Sequence, residues 1–162
     1  GEGFTRSSLG LKGSGGMVFI LPDEGVSVSE LLSSAESVRE LFEGGEGGHG
    51  EVVWQIPKFS FDSRHELADA LKALGVTDAF EWNADFSGIT EGTAFITNVT
   101  QQTHIAVDEN GVEASAFTEI GYAGSAMPEG RAEMILNRPF IYGITADGGT
   151  LLFMGVCSNP AE

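Results

Sequence analysis

Between Val107 and Phe140 the chain carries two signatures that conflict. From Val112 every second residue (Val112, Ala114, Ala116, Thr118, Ile120, Tyr122) is apolar or small, and those between are Glu113, Ser115, Phe117, Glu119 and Gly121. Only Phe117 breaks a division into one apolar face and one polar face. A period of two is the pattern of a half-buried strand. The residues that follow, Gly121-Tyr-Ala-Gly-Ser-Ala-Met-Pro-Glu-Gly130, have the composition of an open, cleavable loop. The rest of the chain has to supply a setting in which one segment can be both.

Composition narrows that setting. A chain of 162 residues is the size of one domain, and 41% hydrophobic with 9% aromatic content is enough for a packed core. The formal net charge of −16 repels nucleic acid and anionic membrane surfaces, and reads as a solubilising acidic surface. No apolar run approaches the ~20 residues that span a bilayer. The chain opens with neither an initiator Met nor a secretory signal pattern, so its native N-terminus is expected upstream of Gly1. The single cysteine, Cys157, excludes an internal disulfide. Its place in the apolar run Leu-Leu-Phe-Met-Gly-Val-Cys predicts a buried, inert thiol.

Local patterns predict an α+β chain dominated by sheet, with about seven strands and three helical pieces. Residues 5–22 read as a hairpin turning at Gly13-Ser-Gly-Gly16 and ending at Pro22. Ser27-Val-Ser-Glu30 is a capping box that opens a helical stretch, and Val38, Leu41 and Phe42 give a second helix its apolar face. Gly44–Gly50 reads as a flexible connection. Glu51–Phe61 is strand-like, with Pro57 marking an edge, a bend or a change of sheet. Ser63-Arg-His-Glu66 has the form of a second capping box, before a helix with a buried stripe of Leu67, Ala70, Leu71 and Leu74 that Gly75 ends. Thr77–Thr90 is irregular. Thr93–Val107 is a long strand candidate. Asn98-Val-Thr100 matches a glycosylation sequon, but inside a central strand it is expected to stay unoccupied. Phe140–Ala146 and Leu151–Val156 form a closing hairpin around Asp147-Gly-Gly-Thr150.

No catalytic or metal-ligating arrangement emerges. His49, His65 and His104 are far apart and lack Cys or carboxylate partners at ligand spacing, so no metal site is expected. Gly13–Gly16 lacks the Lys-Ser/Thr ending of a phosphate loop. Ser125 lies in neither a nucleophile elbow nor a triad context, and the carboxylates are scattered over loops and helix faces. No cofactor is implied.

More specific are short runs that recur in order along most of the chain. Val18-Phe-Ile-Leu-Pro-Asp-Glu-Gly25, Ile56-Pro-Lys-Phe59, Leu67–Phe80 with Asp85-Phe-Ser-Gly-Ile89, Val107-Asp-Glu-Asn-Gly-Val-Glu-Ala114, Asn137-Arg-Pro-Phe140 and Leu152-Phe-Met-Gly155 with Asn159-Pro160 are similar to elements of one family. With them the chain resembles the C-terminal part of a serpin, the serine-protease-inhibitor fold. The resemblance implies the C-terminal portion of a single multi-sheet serpin domain over residues 1–162, incomplete by itself. It also implies a reactive loop at about 109–136.

In that family a protease cleaves the exposed loop as a substrate, and the N-terminal part of the loop then inserts into the central sheet and traps the acyl-enzyme. The resemblance makes Glu109, Gly111, Val112, Glu113, Ala114, Ser115, Ala116, Phe117 and Thr118 the hinge. An inward-facing charge or proline would stall insertion, and none is present. This separates an inhibitor from a non-inhibitory binding or chaperone-type member. Family spacing puts the scissile bond roughly sixteen residues past Glu109, at Ser125–Ala126. Counting back from Asn137 points near Met127–Pro128, and Tyr122, Ala123 and Met127 are the alternative contact residues. Small residues there suit elastase-like or subtilisin-like serine proteases, with a cysteine protease as the less common target. Gln101 stands where many serpins have a sheet-opening His, and it too can donate and accept. The implied partners are the target protease and the N-terminal part of the serpin, with no nucleic acid or membrane. The implied location is extracellular or cell-surface. The 162 residues alone are not expected to trap a protease.

Overall fold

The computed structural model describes residues 1–43, 51–109, 111–112 (backbone alone) and 131–160. These residues form two compact units. One comprises Gly1–Ser60 with Ala106–Glu162, the other Phe61–Ile105.

In the first unit β1 (Phe4–Gly10) and β2 (Gly16–Pro22) make the expected hairpin. Ser27 then caps α1 (Val28–Leu31), with both hydrogen bonds of the capping box formed, and α2 (Ala35–Glu43) follows. Among the later elements, β3 (Glu51–Gln55) belongs to a different sheet from β4 (Phe59–Glu66), so Pro57 marks a change of sheet. Further along lie α3 (Ala68–Ala73), β5 (Thr100–Asp108), β6 (Gly111–Val112), β7 (Arg131–Ile135), β8 (Phe140–Thr145) and β9 (Leu151–Cys157). The described residues thus hold nine strands where about seven are expected. The excess comes from the division of Glu51–Phe61 between β3 and β4 and from β7.

Strands β1, β2, β8 and β9 form an antiparallel sheet in that order. Its central strands are buried on both faces, which explains the unbroken apolar runs Met17–Leu21 and Phe140–Tyr142. Alternation sorts them. On one face Val18, Ile20 and Ile141 close with Leu41 of α2, and Phe4, Leu31, Phe42 and Val156 pack around them. The opposite face is aromatic. Phe19 lies edge-on to Trp54 at 5.6 Å and 6.1 Å from Phe140, while Phe59 meets Phe140 at 5.8 Å and Tyr142 at 5.2 Å. Each fully buried side chain of this size stabilises the fold by about 1.5–3 kcal/mol. Cys157 is fully buried, as expected, and burial pushes its thiol pKa up. Arg138 donates from Nε and Nη2 to the Pro22 carbonyl at 3.1 and 2.9 Å, joining the start of β8 to the end of β2.

The second unit departs from expectation in four places. Ser63–Glu66 is not a capping box. The Phe59–Glu66 segment is extended, with Phe59, Phe61 and Ser63 more buried than the residues between them. Ser63 pairs its hydroxyl with Thr103 on β5, and Arg64 binds Glu66 two residues on, where a strand puts side chains on one face. Pairing in the sheet thus takes the hydroxyl that a cap would need, and α3 starts after Leu67 with no side-chain cap. The stripe on α3 is not buried either. Ala70 is exposed, Leu67 and Leu71 are half-buried, and Leu74 is 81% exposed, because no second layer covers this helix among the described residues of its unit. The helix does end at Gly75, whose φ of +94° lets its own N–H and that of Val76 reach back to the carbonyls of Lys72 and Leu71.

The long strand candidate begins only at Thr100, and residues 93–99 are irregular. The fourth departure follows from this: Asn98 lies ahead of β5, not within a central strand, and is exposed. Trp82, 74% exposed, and Ile89, 85% exposed, also belong to this unit. Thr77–Thr90 is irregular as expected, with a 3-10 turn at Asp78–Phe80 and Ser87 N–H bound to Asp85. The connection 44–50 lies outside the described residues.

Candidate functional site

The candidate reactive segment joins two different sheets. Upstream, β4, β5 and β6 lie in that order in a three-stranded sheet. Beta-branched and amide-rich Thr-Gln-Gln-Thr-His-Ile-Ala-Val makes β5 a strand, and its exposure falls from Gln101 and Gln102 toward buried Val107. The chain then reverses at once. Val107 faces Val112 and Asp108 faces Gly111 in an antiparallel pairing. Downstream, β7 runs parallel to β3, with Glu51 opposite Arg131 and Gln55 opposite Ile135. Within this pair Met134 is nearly fully buried.

Glu109, the first residue after β5, is held by a residue that sequence reasoning did not select. Lys58 Nζ lies 2.8 Å from Glu109 Oε1 and 2.7 Å from Oε2. The hydrogen bond from Lys58 is the main cause that holds the Glu109 carboxyl below the usual carboxylate range, with the residue's own backbone N–H and the Lys58 charge adding to it. The same bond and charge raise Lys58, and Asp108 adds to that. The available signal was Lys58 beside Pro57 in the strand-changing motif. Nothing local pointed to a partner fifty-one positions away.

Two cross-strand pairs further along β4 and β5 were also missed. Asp62 meets His104 at 2.8 Å, and Thr100 Oγ1 donates to Glu66 at 3.0 and 3.1 Å. Hydrogen bonds first from Arg64 and then from Thr100 lower the Glu66 pKa.

Of the sequence-derived site residues, Gln101 lies in β5 and is exposed, Glu109 follows that strand, and the backbones of Gly111 and Val112 form β6. Glu113, Ala114, Ser115, Ala116, Phe117 and Thr118 of the hinge lie outside the described residues. So do Tyr122, Ala123, Ser125, Ala126 and Met127 around the candidate bond. Among the described residues no group of three His, Cys, Asp or Glu side chains is arranged to hold a metal ion.

The chain matches the family model for serpins, described as serine protease inhibitors, over residues 1–160. This chain belongs to the serpin family. An alpha-1-antitrypsin homolog of Cyprinus carpio is 36% identical over 159 residues, covering 93% of this chain and 40% of that protein. Serpin A3-2 of Bos taurus is 34% identical over 164 residues, covering 99% of this chain and 38% of the relative. Among solved structures, Serpin48, a highly specific serpin of the insect Tenebrio molitor, superposes with a TM-score of 0.75 at 29% identity. That match covers 95% of this chain and 40% of Serpin48. Thyroxine-binding globulin in complex with thyroxine gives a TM-score of 0.71 at 26% identity, covering 99% of this chain and 42% of the globulin. The serpin chain thus spans about two fifths of the length of the relatives it matches.

Proposed function

We propose that the serpin carrying this chain inhibits a serine protease as a suicide substrate. Residues 1–162 are the C-terminal part of one serpin domain in this reading, with the reactive loop at about 109–136. The protease attacks at Ser125–Ala126, with Tyr122, Ala123 and Met127 as the alternative contact residues. The hinge, Glu109 and Gly111–Thr118, then enters the central sheet beside the strands supplied by the remainder of the domain, and Gln101 belongs to the region that opens. The observation that carries this reading is the alternation from Val112 to Tyr122, with neither charge nor proline on its apolar face. Burying a charge or a proline in a sheet would be costly, so a face free of both is what insertion needs. Small residues around Ser125 favour an elastase-like or subtilisin-like target, with a cysteine protease as the less common case. The proposed location is extracellular or cell-surface.

A second reading is a non-inhibitory carrier, favoured by the likeness to thyroxine-binding globulin in complex with thyroxine. Full-length protein mixed with pancreatic elastase or subtilisin separates the two. Trapping gives an adduct that survives detergent and heat, and mass spectrometry of the released peptide fixes the bond. Turnover of the loop without an adduct, for every protease that cleaves it, would sink the trapping mechanism.

A further inference from the structure

Asn98-Val99-Thr100 is the one Asn-x-Ser/Thr in the chain. Asn83, Asn110, Asn137 and Asn159 have no Ser or Thr two places on. Inside a central strand such a motif would be closed to modification, but the strand begins at Thr100 and both Thr97 and Asn98 are exposed. The two residues after Asn98 are tied down. The Val99 carbonyl accepts the Leu67 N–H at 2.7 Å, and the Thr100 hydroxyl donates to the Glu66 carboxylate at 3.0 and 3.1 Å. Asn98 itself is left on the surface. Among the described residues its side chain has only a long contact, 3.5 Å, from the neighbouring Thr97 hydroxyl. Among the described residues nothing but Thr97 contacts the amide, so a bulky polar group there leaves the anchors at Val99 and Thr100 intact.

We propose that Asn98 is an acceptor for an N-linked glycan. The donor is a glycan carried on a polyisoprenoid pyrophosphate. Asn98 Nδ2 forms a bond to the anomeric carbon, the bond from that carbon to the pyrophosphate oxygen breaks, and one amide proton is lost to a base of the transferase. The proposal does not depend on protease inhibition. Asn98 precedes β5 whereas Glu109 follows it, so all nine residues of that strand separate the glycan in sequence from the candidate hinge.

The test uses the full-length protein routed through the secretory pathway of a eukaryotic host. Treatment with peptide N-glycosidase should convert Asn98 to Asp in the peptide that spans it and raise the electrophoretic mobility. Asn98→Gln and Thr100→Ala should both lose modification at this peptide, and Thr100→Ser should keep it. Asn98→Gln should also leave the melting temperature of enzymatically deglycosylated protein unchanged, which shows that the loss is chemical and not a failure to fold. If protein is retained inside the cell, the same peptide is read from the lumenal fraction. An unmodified Asn98 peptide in folded protein that has passed through the lumen overturns the proposal.

Discussion

Lys58 and Glu109 close a two-oxygen ion pair at 2.7 and 2.8 Å between the residue after Pro57 and the residue after β5. Both side chains are about two thirds exposed, so the contact is open to salt screening. Its pH window follows from the two shifts. Glu109 is depressed, so its contribution is present above the unfolded carboxylate pKa and is lost as pH falls through the folded value. Lys58 is raised, so its contribution is complete below the unfolded lysine pKa and is lost as pH rises through the folded value. Lys58→Met should move the Glu109 carboxyl titration, followed by NMR in the full-length protein, back up toward the ordinary carboxylate range. The double exchange Lys58→Glu with Glu109→Lys should restore a depressed carboxylate at position 58. An unmoved Glu109 titration in the single variant would show that the pair does not form in solution.

The two Ser-x-x-Glu motifs should respond differently to the same substitution. Ser27→Ala removes a formed cap and should cost about 1 kcal/mol, read as faster amide exchange through α1. Ser63→Ala removes a cross-strand hydrogen bond and should cost about 0.5–1.5 kcal/mol, read as faster exchange along β4 and β5 with α3 unchanged. Faster exchange confined to α3 in the Ser63 variant would restore the cap interpretation.

Gly155 stands opposite Tyr142 in the β8–β9 pairing, and the tyrosine ring lies where a side chain at 155 would go. The ring cannot easily yield, because Tyr142 is buried against Phe59 and Phe140. Gly155→Ala should therefore destabilise by about 1–3 kcal/mol in thermal unfolding. Gly148→Ala, with open space around it, should stay within about 0.5 kcal/mol of the parent.

A hinge substitution tests the proposed mechanism without touching the candidate bond. Ala114→Pro or Ala116→Arg puts a missing donor or a charge on the face expected to be buried. Both variants should still be cleaved at the same bond but should release active protease, so the stable adduct falls and the stoichiometry of inhibition rises. Phe117→Ala, on the opposite face, should change the stoichiometry little. A full yield of adduct from Ala116→Arg would mean that this face is not buried.

Much of the first unit was legible because its signals are local or periodic. Met17–Leu21 and Phe140–Tyr142 are unbroken apolar runs, Ser27 and Glu30 are three residues apart, and Pro57 interrupts a strand that does change sheet. What failed was decided by distant partners. Ser63 has equally good chemistry for a cap and for a strand, and Thr103, forty positions away, decides it. The start of β5 could not be read from Thr93–Val99, whose residues suit a strand but which the structure leaves irregular. Lys58 found Glu109 through the same long-range pairing. The hinge and bond positions remain what the family likeness implies, since neither spacing nor chemistry singles out Ser125.

The edge-on contact of Trp54 with Phe19 has a spectroscopic consequence. The chain has two tryptophans, one in each compact unit: Trp54 is half-buried against a ring, and Trp82 is 74% exposed. Trp82→Phe leaves, within this chain, an emission from the first unit alone, which should shift to the red as that unit opens. Trp54→Phe leaves an emission already close to that of tryptophan in water, so its response will lie in quenching and anisotropy more than in colour. Melting the two variants side by side would separate the optical signals of the two compact units of this chain.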